Sequence, residues 1–230
     1  MVPLVLIPGM MCDARLFAPQ VAAFSGGFSI FLASISIHDS IGALAAECLA
    51  QAPPRFALAG LSMGGIVAME MLRQAPERID RIAFLDANPL AETDEIKARR
   101  APQIKAVQQG RLAEVMRDEM KPNYLTTGPK RSAILDLCME MATDLGPEVF
   151  TRQSHALMTR PDQTETLRQV LVPALVLCGR DDALCPVQRH ELMASLIPCS
   201  HLEIIDSAGH LPTLEQPEIT NNALMRWLET

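Results

Sequence analysis

Six short runs in this chain of 230 residues are rich in apolar residues, most of them at nearly every position, and they restrict the fold more than any other feature. They are residues 3–8 (PLVLIP), 28–34 (FSIFLAS), 55–60 (RFALAG), 79–87 (IDRIAFLDA), 173–179 (PALVLCG) and 201–207 (HLEIIDS). A strand with one face in water alternates apolar and polar side chains. A strand covered on both faces reads as a continuous apolar run. Helical patterns separate these runs. Residues 41–52 put Ile41, Leu44, Ala45, Cys48 and Leu49 on one face, residues 63–75 stop at Pro76, and residues 187–197 and 218–229 follow the last two runs. Strands alternating with helices predict a parallel sheet of six strands between two helical layers.

The alternation breaks between residues 89 and 169, where every segment is helical in pattern and more charged. The expected organisation is a sheet-and-helix core from residues 1–88 and 170–230, interrupted at 89–169 by a helical cap. Aromatics make up only 4% of the chain, so the core must use aliphatic residues and 13 Met. Met fills irregular space and suits an adaptable apolar pocket. The net charge of −7 argues against nucleic acid or anionic membrane as partners. No run of 18 apolar residues occurs, and the apolar first residues lack a charged leader and reach Pro8-Gly9 too early for a signal peptide. The six cysteines, at 12, 48, 138, 178, 185 and 199, form no C-x-x-C pair. Free thiols in a reducing cytoplasm, without a metal site, are therefore expected. Residues 60–65 do not fit G-x-G-x-x-G, so no dinucleotide cofactor is expected.

The chemistry is carried by "FALAGLSMGGIVAMEML", residues 56–72, where a strand pattern turns helical around Gly60-Leu61-Ser62-Met63-Gly64. G-x-S-x-G at such a junction is the setting of a nucleophile elbow, a tight turn that lifts the serine above the sheet. Ser62 would stand at a helix N-terminus, where free N–H groups favour developing negative charge. A Gly-rich turn with a capping serine is the plain structural alternative. Serine needs a base to take its proton, and histidine alone titrates near neutrality without perturbation. Cys12 and Cys185 are the other candidate nucleophiles.

Ser62 is followed in order by "LVLCGRDDALCP" (175–186) and "IIDSAGHLPTLEQP" (204–217), each just after an expected strand. Together these segments resemble the α/β-hydrolase superfamily, and the resemblance covers essentially the whole chain. It implies an α/β-hydrolase fold in which Ser62, Asp182 and His210 form a catalytic triad. The family's G-x-x-D spacing from Gly179 selects Asp182 over the adjacent Asp181, which then reads as a solvated loop residue. Asp86 follows an earlier strand, at a place some family members use for the acid. The resemblance also implies an oxyanion hole made by the backbone N–H groups of Met63 and Met10. The family usually has His-Gly-x in the latter loop, and here Pro8-Gly9-Met10 stands instead. A second departure is that the family's first two strands have no counterpart before residue 3.

Met11 is expected to line the pocket, and His38 and His155 are candidates to face it. His190 and His201 read as solvated surface residues. A serine nucleophile excludes the relatives that use aspartate, which leaves acyl transfer to water. The chain is similar to small bacterial hydrolases near the 3-oxoadipate enol-lactonase and carboxylesterase group, a likeness that speaks to mechanism more than substrate. The expected activity is hydrolysis of a small or medium ester, lactone or related acyl compound, with no cofactor. Two alternatives stay open: a non-catalytic small-molecule-binding homologue, and an acyltransferase using the same residues.

Overall fold

The expected strands form one sheet. In the computed structural model, which describes residues 2–230, β1 (Leu4–Ile7), β2 (Ile30–Leu32), β3 (Phe56–Leu61), β4 (Ile79–Leu85), β5 (Ala174–Gly179) and β6 (Ser200–Ile205) are all parallel. Their order across the sheet is β2-β1-β3-β4-β5-β6. β2 pairs only with β1, and just three of the seven residues expected to be extended keep the ladder.

Alternate strand residues enter two separate cores, which explains their unbroken apolar character. Val5, Ile7, Leu58, Phe84 and Val176 pack with residues of α2 (Ile41–Gln51), α3 (Met63–Gln74) and α8 (Val187–Leu196), among them Leu44, Met69 and Met193. Leu4, Leu6, Ala59, Leu85 and Leu177 pack on the other face with Phe24 of α1 (Ala18–Phe24) and with Leu224 and Trp227 of the C-terminal helix α9 (Pro217–Glu229). Helix α1 has no clear sequence pattern because its seven residues span barely two turns.

Between β4 and β5 the chain is helical: α4 (Asp94–Gln108), α5 (Leu112–Glu114), a π-helical turn at Val115–Met120, α6 (Arg131–Met158) and α7 (Thr164–Arg168). Gly146 at φ 81°, followed by Pro147, breaks α6 in two. The two ends of this excursion are tied together and to the core. Gln163 N–H donates to Pro89 O at 2.8 Å, and Gln163 Nε2 donates to the buried Glu70 of α3 at 2.9 Å. Among the described residues no helix is long and apolar enough to cross a membrane.

The strand order positions the site. From β1 the chain moves outward to β2, and from β3 it moves the opposite way to β4. The loops at the carboxyl ends of β1 and β3 therefore diverge and leave a crevice between them, the usual ligand position in open parallel sheets. Gly9 and Ser62 both lie there, on the two sides of the crevice.

Candidate active site

β3 ends at Leu61 and α3 starts at Met63, which leaves Ser62 in the turn at φ 55°, ψ −117°. A side chain at such an angle costs about 1–3 kcal/mol, so its surroundings must hold it there. Ser62 N–H donates to Leu85 O at 2.8 Å, and Ser62 O accepts from Gly65 N–H at 2.9 Å. The turn also needs backbone to approach backbone. A Cβ on Gly64 would lie 2.1 Å from Ile7 O, and one on Gly60 would lie 2.3 Å from Gly64 O. The flanking glycines are therefore required for packing.

His210 Nε2 lies 2.8 Å from Ser62 Oγ, and His210 Nδ1 lies 2.8 Å from Asp182 Oδ2. An ionised carboxylate only accepts, so Nδ1 carries the proton and Nε2 is left to accept from the serine hydroxyl. Asp182 Oδ1 accepts from Leu184 N–H at 2.8 Å and Cys185 N–H at 3.0 Å. Burial pushes the Asp182 carboxyl up, but His210 and these two N–H groups outweigh it and hold it below its ordinary value. Neither the Met10 nor the Met63 N–H donates to any protein acceptor, and both residues line the cavity beside Ser62.

Other acids near the site are placed differently. Asp181 is exposed and accepts from the Thr126 hydroxyl at 3.0 Å. Asp86 is fully buried at φ 45°, with Oδ1 accepting from Gly179 N–H at 2.9 Å. Burial, together with the Asp182 charge, holds its carboxyl well above the usual range. Burial likewise raises the thiols of Cys12 and Cys185 well above their usual value, which removes both as nucleophiles.

Four histidine and methionine expectations need correction. His190 is fully buried, and its Nε2 accepts from Ala87 N–H at 3.1 Å. Burial pushes it down to about 4. Its helix carries polar neighbours, which hid this environment in the sequence. His38 is half-buried, with Nε2 3.8 Å from Glu47, and does not line the cavity. His155 is exposed, on the outer side of α6. Met11 is buried but lies outside the cavity lining, because its N–H is drawn to Gln153 Oε1 at 2.8 Å. His201 is exposed, as expected, and pairs with Glu203.

The sequence reading missed several residues that support the reactive loops. Gln153 of α6 accepts from Met11 N–H and donates to Ile35 O at 3.0 Å, which pins the loop after β1. Glu215 Oε1 accepts from Gly209 N–H at 2.9 Å and Leu211 N–H at 3.2 Å, on both sides of His210. Glu215 Oε2 accepts from Thr126 N–H at 3.0 Å. Tyr124 O accepts from His210 N–H at 2.7 Å. Only Glu215 had a local signal, since it lies five residues after the histidine in the same motif.

Ser62 and His210 open into a cavity of about 670 Å³. Met10, Met63 and Ile66 line it from the strand-end side, and Ile96, Leu157 and Arg160 from the helical excursion. With this arrangement in place, the chain matches the alpha/beta hydrolase family over residues 4–223. It belongs to that family. The thermophilic esterase from Thermogutta terrifontis has the same fold, with a TM-score of 0.92 and 26% identity over 100% of this chain and 90% of that one. The pimeloyl-[acyl-carrier protein] methyl ester esterase of Aliivibrio salmonicida is 23% identical over 98% of this hydrolase and 92% of its own length. The biotin biosynthesis bifunctional protein BioHC of Teredinibacter turnerae is 28% identical over 72% of this chain, which spans only 31% of that longer protein. Two of these relatives are named as esterases.

Proposed function

We propose that this hydrolase cleaves a small or medium carboxylic ester or lactone through an acyl-enzyme on Ser62. The observation that carries the reading is the unbroken chain from Ser62 Oγ through His210 to Asp182, at the wall of a 670 Å³ cavity. Ser62 Oγ attacks the carbonyl carbon while its proton passes to His210 Nε2. The negative charge that develops on the carbonyl oxygen meets the N–H groups of Met10 and Met63, which are free to receive it. Asp182 stabilises the imidazolium. Collapse breaks the ester C–O bond, and the leaving alcohol takes the proton from His210. Water then enters, gives a proton to His210 and attacks the acyl carbon. The acid departs, and the proton returns to Ser62 Oγ.

Residues 89–169 act as a cap on the core of 1–88 and 170–230, and their side chains limit the acyl group. A cavity of this size fits the range of small-ligand pockets, about 300–1,000 Å³. The esterase names of the relatives support ester hydrolysis. The six unpaired cysteines favour a reducing, cytoplasmic setting. Reaction with a fluorophosphonate followed by intact-mass measurement is the test. One adduct, mapped to Ser62 and absent in Ser62→Ala, is expected. Turnover of a panel of p-nitrophenyl esters, lactones and thioesters then ranks the acyl groups. An unlabelled Ser62 in folded protein would overturn the reading in favour of a binding protein. Added alcohols or amines that divert the acyl group would reveal a transferase.

A further inference from the structure

The cavity holds an unequal set of charges. Arg99 pairs with Glu95, and both are exposed. Arg100 grips Glu92 through Nε at 2.8 Å and Nη2 at 2.5 Å, in a pair that is largely out of solvent. Gln103 Nε2 donates to Glu119 at 2.9 Å. Arg160 alone among the lining cations has no carboxylate within 4.0 Å. Its Nε donates to Leu90 O at 2.9 Å, and neither Nη atom has a partner among the described residues. Its residue is only partly exposed. Burial lowers the affinity of Arg160 for its proton, an effect that Glu92 only partly offsets and that Arg100 and Arg189 reinforce. A guanidinium held by one bond, with two donor groups left over and like charges nearby, is a site that awaits an anion. Its planar fork matches a carboxylate through two parallel N–H···O bonds.

We propose that the substrate of this hydrolase carries a free carboxylate in addition to its ester or lactone group, and that Arg160 binds it. This rests on the reading of Ser62 as the nucleophile. The apolar side chains of Met10, Met63, Ile66 and Leu157 then receive the carbon chain between the two functional groups. Placing a partner against a desolvated cation gives orientation as well as affinity, because an ester carried on a long neutral chain has no such anchor. Specificity of this kind shows as a difference between a charged substrate and its neutral counterpart.

The test compares monoethyl esters of dicarboxylic acids of four to eight carbons with the ethyl esters of the matching monocarboxylic acids. Wild-type enzyme should favour the charged ester in kcat/KM by about tenfold or more at one chain length, and added salt should erode that preference. Arg160→Gln should bring the charged-to-neutral ratio close to one, chiefly through KM. Arg160→Lys, which keeps the charge without the fork, should retain part of it. The wild-type ratio stands even where a variant folds poorly. No preference for the charged ester at any length, or an unchanged ratio in folded Arg160→Gln, would overturn the proposal while leaving hydrolysis of neutral esters intact. Failure to turn over either series, with Ser62 unlabelled by fluorophosphonate, would overturn the hydrolase reading and this proposal with it.

Discussion

The core at 1–88 and 170–230 and the helices at 89–169 divide both charge and duty. The helices hold 12 of the 20 Lys and Arg and 12 of the 27 Asp and Glu, so they are neutral overall, and the core carries all of the net charge of −7. Ser62, Asp182, His210 and the Met10 and Met63 N–H groups all sit at ends of strands in the core. The helices bring the arginines and most of the wall facing them. Groups that must meet within 2.8 Å are mounted on the sheet, and the groups proposed to select size and charge are mounted on the helices. The division is not complete, because Gln153 and Tyr124 of the helical region hold the loops that carry Met10 and His210.

The largest effect should fall in the core. Asp182→Asn is expected to lower kcat/KM on a short p-nitrophenyl ester by about 10²–10⁴, because an amide presents the wrong partner to Nδ1 of His210. Asp86→Asn should cost less than about tenfold, since His210 Nδ1 pairs with Asp182 rather than Asp86 and an amide oxygen still accepts from Gly179 N–H. The reverse ranking would make Asp86 the acid. Next comes acid stability. His190 is held near 4 in the fold, whereas the unfolded chain takes up its proton at about 6.5. The unfolded state thus binds more protons between those values, and stability present above about pH 6.5 is lost as pH falls towards 4, by about 3 kcal/mol. Urea titrations across this range should show the loss, and His190→Gln should flatten the slope.

A smaller effect sharpens the exception. Gln153→Leu removes the acceptor of the Met11 N–H and leaves that group unsatisfied, at about 1–3 kcal/mol. It should lower kcat about tenfold by loosening the loop of Met10. An unchanged kcat would show that the helices only line the cavity. The smallest effect belongs to the wall. Ile96→Ala trims side-chain carbons that are 40% exposed. At about 0.8 kcal/mol per fully buried methylene, it should change the hexanoate-to-acetate ratio only about threefold.

Legibility in the sequence follows the same division. The inner strands β1, β3, β4 and β5 were readable because both faces are largely buried, and Ser62, Asp182 and His210 because each lies in a glycine-bearing turn after a strand. β2 was read too long, since an edge strand with one partner forms fewer ladder bonds than its apolar run suggests. The helical region is legible as helical and as a cap, but the contacts its side chains make with the core loops are not. Gln153 meets Met11 across 142 positions of sequence, and no local pattern announces such a contact. His38 and His155 are pocket candidates by position alone, after an expected strand and within the inserted helices, and His190 reads as a surface residue because its buried surroundings come from β4 and the loop after it.

The backbone angle of Ser62 also limits how this enzyme can change over evolutionary time. At φ 55° a branched Cβ crowds the neighbouring carbonyl groups, so threonine, which would keep a hydroxyl, is the wrong shape for the turn. The glycines around it leave no room for the backbone to relax. Exchange of the nucleophile along this lineage is therefore channelled through unbranched side chains such as cysteine and aspartate. A change of reaction class is sterically easier at position 62 than the chemically milder move from serine to threonine.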